Sequence, residues 1–134
     1  MRIVLDASVA VAAARPTEPS HASSRARLDR VLRGVDEIVV PAIFPIEVGA
    51  ALARVGEPGP AVVAYVDALT GIALMIATMG PLRARRIRDM AIATRLRAAD
   101  AAYVWLAARE ALPLCTLDRE MVHRGGVVCQ VMAP

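Results

Sequence analysis

The chain has 134 residues, of which 57% are hydrophobic and 22% charged, a balance typical of one globular domain and not of a disordered chain. Its formal net charge is +3, and all of its basic residues are arginine, which permits an anionic partner without requiring one. No uncharged apolar stretch approaches the ~20 residues of a membrane helix, and Asp6 interrupts the apolar N-terminus. We therefore expect no membrane span, no export signal and a cytoplasmic location.

Short runs rich in β-branched and apolar residues alternate along the chain with longer, alanine-rich segments. The short runs predict strands at residues 2–5, 37–40, 72–77, 114–116 and 127–131. The longer segments predict helices that begin near Ser8, Pro19, Ala42, Pro60, Pro81 and Ala99, with glycine stop signals at positions 34, 56, 71 and 125. Because this alternation is typical of parallel sheets, we predict one α/β domain over residues 1–134. Its short, mainly parallel five-stranded sheet should carry helices on both faces.

Four acidic residues lie where this fold would bring them to one edge of the sheet. Asp6 follows the first strand, and Asp118 follows the fourth. Glu47 lies in the first turns of the helix after the second strand, and Asp100 begins the helix that leads into the fourth. Each acid alone is also a good helix cap or helix starter. Their shared position is what indicates a site, since ligands of such sheets bind beyond the carboxyl ends of the strands.

Acids that converge in this way need a cation. Two carboxylates ~5 Å apart at an effective dielectric constant of ~20 repel each other by ~3 kcal/mol. A hard divalent cation offsets this repulsion, and Mg²⁺ or Mn²⁺ fits better than zinc because no histidine or cysteine joins the group. Sites of this kind usually act on phosphoryl groups.

Four motifs carry a resemblance that spans nearly the whole chain. They are IVLDASV around Asp6, FPIEVGAAL around Glu47, LRAADAAYVWLA around Asp100 and PLCTLDREM around Asp118. In this order and spacing they resemble the motifs of PIN-domain ribonucleases, specifically the VapC-type toxins of bacterial toxin–antitoxin pairs. The resemblance implies a single PIN domain and hydrolysis of RNA phosphodiesters with Mg²⁺ or Mn²⁺.

The resemblance also implies a role for each site residue. Asp6, Asp100 and Asp118 would hold one metal ion, and Glu47 would help with a second ion or with the attacking water. The polar supports would be Ser8 and Thr116. Glu120 stands where many relatives have Asp, and we expect it to act indirectly or through water because its side chain is longer.

The partners follow from the same resemblance. A VapB-type antitoxin would lay its C-terminal segment in a groove between helices and obstruct the acidic site. The alanine-rich segments 8–14 and 42–55 would line that groove. The mean hydropathy of +0.49 is high for a small monomer, which favours a surface covered by another chain, in a homodimer or a toxin–antitoxin hetero-oligomer.

One alternative stays open: a PIN-like module that binds RNA or protein without cutting. Other phosphate-handling folds fit less well. The chain has no lysine for a receiver-type signalling domain, no second acid two residues after Asp6 for a haloacid-dehalogenase-like phosphatase, and no GxxxxGK[ST] run for a P-loop protein.

Further residues have structural interpretations. The arginines at positions 83, 85, 86, 88, 95 and 97 form no single helical stripe, so we expect a solvated surface with one or two RNA contacts. Trp105 is expected in the core or an interface. Cys115 and Cys129 are expected to be free thiols.

Overall fold

The computed structural model describes all residues from Met1 to Pro134. The strands are β1 (Arg2–Leu5), β2 (Glu37–Pro41), β3 (Met75–Ala77), β4 (Leu114–Cys115) and β5 (Val131–Met132). The α-helices are α1 (Ala7–Ala14), α2 (His21–Leu32), α3 (Phe44–Arg54), α4 (Gly59–Ile72), α5 (Pro81–Thr94) and α6 (Ala98–Glu110). A single π-helical turn, Met121–Gly125, lies between β4 and β5. None of these helices combines the length and the hydrophobicity that a membrane-spanning segment requires.

The strands form one parallel sheet in the order β3-β2-β1-β4-β5. In the central strand β1, Ile3, Val4 and Leu5 are all 0% exposed. Because successive side chains point to opposite faces, this burial means that both faces of β1 are covered. The predicted fold class is confirmed, and the sheet is entirely parallel.

All five strands occur where the sequence predicts them, but three of them are shorter, and β4 lacks only Thr116 of its predicted residues. β3 begins at Met75 because Ile72 still belongs to α4. β5 begins at Val131 because Val127 and Val128 lie in an exposed turn after the π-helical turn. Hydrophobicity alone predicts a strand at these valines. In the structure they belong to the turn that leads the chain back to the edge of the sheet, so the strand starts later.

Only some of the helices end at the glycines that predict a helix end. Gly34 and Gly56 have positive φ values of 69° and 89° and end α2 and α3 as predicted. Gly71, predicted as a stop, lies inside α4. Helices α5 and α6 end instead at Arg95 and Ala111, which adopt φ values of 58° and 52°. These non-glycine caps carry no signal in the sequence.

Helix α6 is the most buried helix and packs on β1, β2 and β4. Its residues 101–107 are all buried, including Trp105, over whose ring the Arg109 guanidinium lies at 5.3 Å. The π-helical turn packs against this helix, and a Cβ on Gly125 would come within 2.7 Å of Val104 Cγ2. Close packing around α6 therefore sets the position of its first turn, where Asp100 lies.

The strand order also shows where a ligand would bind. From β1 the chain crosses to β2 on one side, while β4 lies on the other side of β1. The chain order therefore reverses between β1 and β4, and such switch points open a crevice beyond the carboxyl ends of the strands. Asp6 follows β1 and Thr116 follows β4 at this crevice.

Candidate active site

Asp6 is held on the rigid end of β1 by hydroxyl groups. Its side chain is buried, with 3% of the residue exposed. Oδ2 accepts hydrogen bonds from Ser8 Oγ and from Thr116 Oγ1, the latter at 2.8 Å. Burial raises the pKa of Asp6, and these hydrogen bonds only partly oppose the rise. Asp6 occupies the N-cap position of α1, and its carboxylate is held chiefly by the two hydroxyls.

The same two hydroxyls fasten Asp6 to the loop after β4. Ser8 Oγ accepts a hydrogen bond from the Leu117 amide at 3.1 Å, and Thr116 Oγ1 accepts one from the Asp118 amide at 3.0 Å. Each hydroxyl thus donates to the carboxylate and accepts from the loop. Asp6 and Asp118 are therefore positioned by one hydrogen-bond network.

Asp118 divides its two oxygens between backbone and side chain. Oδ1 accepts hydrogen bonds from the amides of Glu120 and Met121 at 2.7 and 3.1 Å, so Asp118 does cap the turn that follows it. Oδ2 instead lies 3.1 Å from Arg97 Nη2. Only Oδ2 is therefore directed toward other side chains.

Glu47 lies in the first turn of α3, just after Pro45 at the start of the helix. Its Oε2 is buried without a hydrogen-bond partner, and so is the hydroxyl of Tyr103. Burial raises the pKa of Glu47, the nearby Tyr103 hydroxyl opposes the rise, and the carboxylates of Asp6 and Asp100 add to it. Burial and the carboxylates of Glu47 and Asp6 also raise the pKa of Tyr103. A buried oxygen without a partner is uncommon, so Glu47 Oε2 is free to accept a hydrogen bond from the neighbouring Tyr103 hydroxyl or from a ligand.

Asp100 lies in the first turn of α6 and is also buried, with 5% of the residue exposed. Its Oδ2 lies 2.8 Å from Arg97 Nε. Burial raises the pKa of Asp100, while the Arg97 guanidinium opposes the rise. A single arginine therefore bridges Asp100 and Asp118, which are far apart in the chain.

Arg97 is the site residue that the sequence interpretation missed, because it was grouped with the surface arginines. The available signal was its spacing, three residues before Asp100 at a helix start, where i and i+3 side chains meet. The contact with Asp118 depends on the fold and has no local signal.

The four predicted acids line one cavity of about 530 Å³. Helix α1 contributes Ser8 and small apolar residues, and α3 contributes Glu47 and Ala50. Glu120 does not line this cavity. Its Oε2 pairs with Arg124 Nε at 2.7 Å, and both residues line the adjacent cavity.

The donor set of the cavity fits a hard divalent cation, since its side-chain donors are carboxylate and hydroxyl oxygens. The unpartnered Glu47 Oε2 is consistent with a ligand. In the present side-chain positions, however, no three Asp, Glu, His or Cys side chains are arranged to hold one ion. Arg97 stands between two of the candidate ligands.

Comparison with protein families gives a match that covers most of the chain. The model of the PIN domain matches residues 3–127. The chain belongs to the PIN-domain family. No curated protein sequence matches it significantly.

Solved structures share the PIN fold over nearly the whole length. VapC20 from Mycobacterium tuberculosis, described as a sarcin-ricin loop cleaving toxin, superimposes with a TM-score of 0.74 at 12% identity, covering 90% of this chain and 93% of its own. PAE2754 from Pyrobaculum aerophilum gives 0.70 at 20% identity, covering 99% and 92%. VapBC2 from Rickettsia felis, bound to a DNA fragment from their promoter, gives 0.69 at 13%, covering 100% and 99%.

Proposed function

We propose that this PIN domain is a Mg²⁺- or Mn²⁺-dependent endoribonuclease. The observation that carries the proposal is the convergence of Asp6, Glu47, Asp100 and Asp118 on one cavity at the switch point of the sheet. Buried acids with raised pKa values in a cleft are typical of functional sites. The fold shared with VapC20, a toxin that cleaves the sarcin-ricin loop, supports RNA as the substrate.

The residues divide the work of phosphodiester hydrolysis. Asp6, Asp100 and Asp118 would hold the metal ion, which when bound polarises the phosphate and lowers the pKa of water. Ser8 and Thr116 orient Asp6 by hydrogen bonds to its Oδ2. Glu47, whose Oε2 has no other partner, accepts a proton from the attacking water or helps to hold a second ion. Glu120, paired with Arg124, supports the site from its edge.

We further propose that the chain acts in the cytoplasm as the toxin of a VapBC-type pair. The fold shared with VapBC2 supports this assignment. A VapB-type antitoxin would lie in the groove between α1 and α3, whose side chains Val11, Ala12, Ala50 and Ala51 line the acidic cavity. Small side chains leave room for a bound segment that ends at the acids. The chain would occur as a homodimer or in a toxin–antitoxin hetero-oligomer.

Cleavage of RNA tests the enzymatic proposal. The wild-type chain should cut single-stranded or looped RNA with Mg²⁺ or Mn²⁺ and stop when EDTA is added. Asp6→Asn should lower the rate by about 100-fold or more, because it removes a charged ligand but keeps the shape of the side chain. Mapping of RNA ends after induced expression would locate the cleavage site.

The matched control is Asp67→Asn, which removes the charge of an exposed carboxylate on α4 without an ion-pair partner. It should cut as fast as wild type. Equal cleavage by wild type and Asp6→Asn would contradict the proposal. So would metal-independent RNA binding without cleavage, which would favour the non-cutting module instead.

The antitoxin proposal has a separate test. Ala50 and Ala53 are both exposed on α3, but only Ala50 lines the acidic cavity. Coexpression with the cognate VapB-type antitoxin should yield a stable complex. Ala50→Arg should weaken that complex and Ala53→Arg should not. Equal retention of the partner by both variants would overturn the assigned groove.

A further inference from the structure

Arg97 is the one cation among the side chains that line the acidic cavity and pair with its carboxylates. Its Nε lies 2.8 Å from Asp100 Oδ2, and its Nη2 lies 3.1 Å from Asp118 Oδ2. The two acids come from α6 and from the loop after β4, so the guanidinium links two separate elements. The acids are largely buried, whereas the Arg97 side chain is 75% exposed.

These contacts use the oxygens that a metal ion would need. Asp118 Oδ1 is already committed to two backbone amides, which leaves Oδ2 as its free ligand atom. That oxygen is the one paired with Arg97. A divalent cation that binds both Asp100 and Asp118 must therefore displace the guanidinium or share its oxygen.

Displacement is inexpensive for a side chain placed in this way. The Arg97 end of each pair is exposed, so water screens it and ordering the long side chain costs entropy. The buried carboxylates keep a counter-charge throughout, because the incoming cation replaces the guanidinium. The Arg97 side chain makes no hydrogen bond other than those to Asp100 and Asp118. Its guanidinium can therefore leave without breaking a buried network.

A cavity that could take up the displaced Arg97 guanidinium lies directly beside the site. A second cavity of about 420 Å³ is lined by Arg95, Leu96, Arg97, Asp100, Glu120 and Arg124. Arg124 is fixed there by the Arg95 carbonyl at 2.8 Å and by Glu120 at 2.7 Å. Arg97 lines both cavities, and unlike Arg124 its side chain is held there neither by Glu120 nor by a backbone carbonyl.

We propose that Arg97 is a movable counter-ion, which neutralises Asp100 and Asp118 until a divalent cation takes their oxygens and then turns outward to hold a phosphate of the RNA. The planar guanidinium matches a phosphate with two parallel hydrogen bonds, as it matches these carboxylates. This inference rests on the proposed metal-dependent nuclease function. It makes Arg97 a substrate-binding residue that couples cation binding to RNA binding.

Binding of Mn²⁺ alone gives the first test, measured by calorimetry on the full chain without RNA. Arg97→Gln should bind Mn²⁺ about fivefold more tightly than wild type, because the competing cation is gone. The matched control is Arg86→Gln, which makes the same change of charge at an exposed residue of α5 that contacts no carboxylate. If both variants bind Mn²⁺ with equal affinity, the competition is overturned.

Binding of RNA gives the second test. Anisotropy of a labelled single-stranded RNA, checked on a gel to be intact, is measured with Mn²⁺ and with EDTA. Arg97→Gln should weaken binding about tenfold with Mn²⁺, when the guanidinium is free, and much less with EDTA. Arg86→Gln should change both conditions equally. An equal loss for Arg97→Gln in both conditions would show that Arg97 does not move.

Failure of this inference differs from failure of the proposed function. Equal Mn²⁺ affinities in the two variants, together with Mn²⁺-dependent cleavage by wild type, would overturn the role of Arg97 only. Absence of metal-dependent cleavage by wild type would overturn the nuclease proposal, whatever the affinities are.

Discussion

Two buried aspartates lie at opposite ends of the central part of the sheet, and their surroundings differ. Asp36 precedes β2 beside the start of β1 and is 1% exposed. It pairs with the Met1 amine at 3.2 Å, with Arg27 Nη1 at 2.9 Å and with Arg30 Nε at 2.7 Å. Asp6, at the carboxyl end of β1, is equally buried but has only the hydroxyls of Ser8 and Thr116 as side-chain partners.

The pKa values of the two carboxyls consequently move in opposite directions. Hydrogen bonds from Arg30, the Met1 amine and Arg27 hold the pKa of Asp36 well below its usual range. Burial raises the pKa of Asp6. A carboxylate compensated within the chain stabilises the fold, whereas one left uncompensated is available to an external cation. The comparison separates a structural acid from a candidate ligand of the same residue type.

The largest expected effect is on Asp36. Asp36→Asn should lower the free energy of unfolding by about 3–5 kcal/mol, because it leaves the buried part of the arginine cluster without its counter-charge. Denaturant unfolding measures this loss. The control is Glu37→Gln, which removes an exposed ion pair with Arg2 and should cost less than about 1 kcal/mol. Equal losses of unfolding free energy in the two variants would contradict a special role for the buried Asp36 ion pairs.

Acid should reduce the contribution of the Asp36 ion pairs to the free energy of unfolding. The folded-state pKa of Asp36 lies below its unfolded value of about 3.9, so its contribution is full above that value and is lost as pH falls toward the folded value. The difference in unfolding free energy between wild type and Asp36→Asn should therefore narrow below about pH 4. A difference that stays constant down to pH 2 would contradict the ion-pair explanation.

Loss of a hydroxyl group from the network around Asp6 should have the next largest effect on stability. Thr116→Val keeps the shape of the side chain but leaves Asp6 Oδ2 and the Asp118 amide each without one hydrogen bond, at a cost of about 1–3 kcal/mol. Thr94→Val removes only a bond to a carbonyl within α5 and should cost less than about 0.5 kcal/mol. If thermal unfolding does not distinguish the two variants, Thr116 does not support the site.

Asp6→Asn should change the free energy of unfolding in the opposite direction to Asp36→Asn. Because the folded-state pKa of Asp6 is raised, the folded protein bears a cost at neutral pH that is absent below about pH 4, where both states are protonated. Removal of the charge should stabilise the cation-free chain by about 0.5–2 kcal/mol at pH 7. A lower melting temperature in EDTA at pH 7 would show that the Asp6 charge stabilises the fold.

The smallest effect concerns the N-terminus. The Met1 amine donates to Asp36 and to the Val35 carbonyl, but it is about half exposed. Acetylation of this amine should therefore cost only about 0.2–1 kcal/mol, as for other exposed ion pairs. A loss as large as that of Asp36→Asn would assign most of the Asp36 contribution to the terminus and not to the arginines.

Much of this protein follows from local sequence patterns. The apolar run before Asp6 predicts a strand buried on both faces, because charged side chains are excluded from it. The alternation of such runs with helical segments predicts the parallel sheet, and parallel strands bring their carboxyl ends to one edge. For that reason the positions of Asp6, Glu47, Asp100 and Asp118 on one cavity could be predicted before any coordinates.

Only the tertiary structure decided the contacts between residues that are distant in sequence. The placement of Arg97 against Asp118, and of Thr116 against Asp6, depends on how α6 and the loop after β4 meet β1. The Asp36 cluster likewise joins the N-terminus, α2 and the start of β2. Local patterns report the periodicity and the burial of a segment, whereas the charge that compensates a given carboxylate is set by packing across elements. The sequence therefore placed the acids, and the fold decided which of them is neutralised by the chain itself.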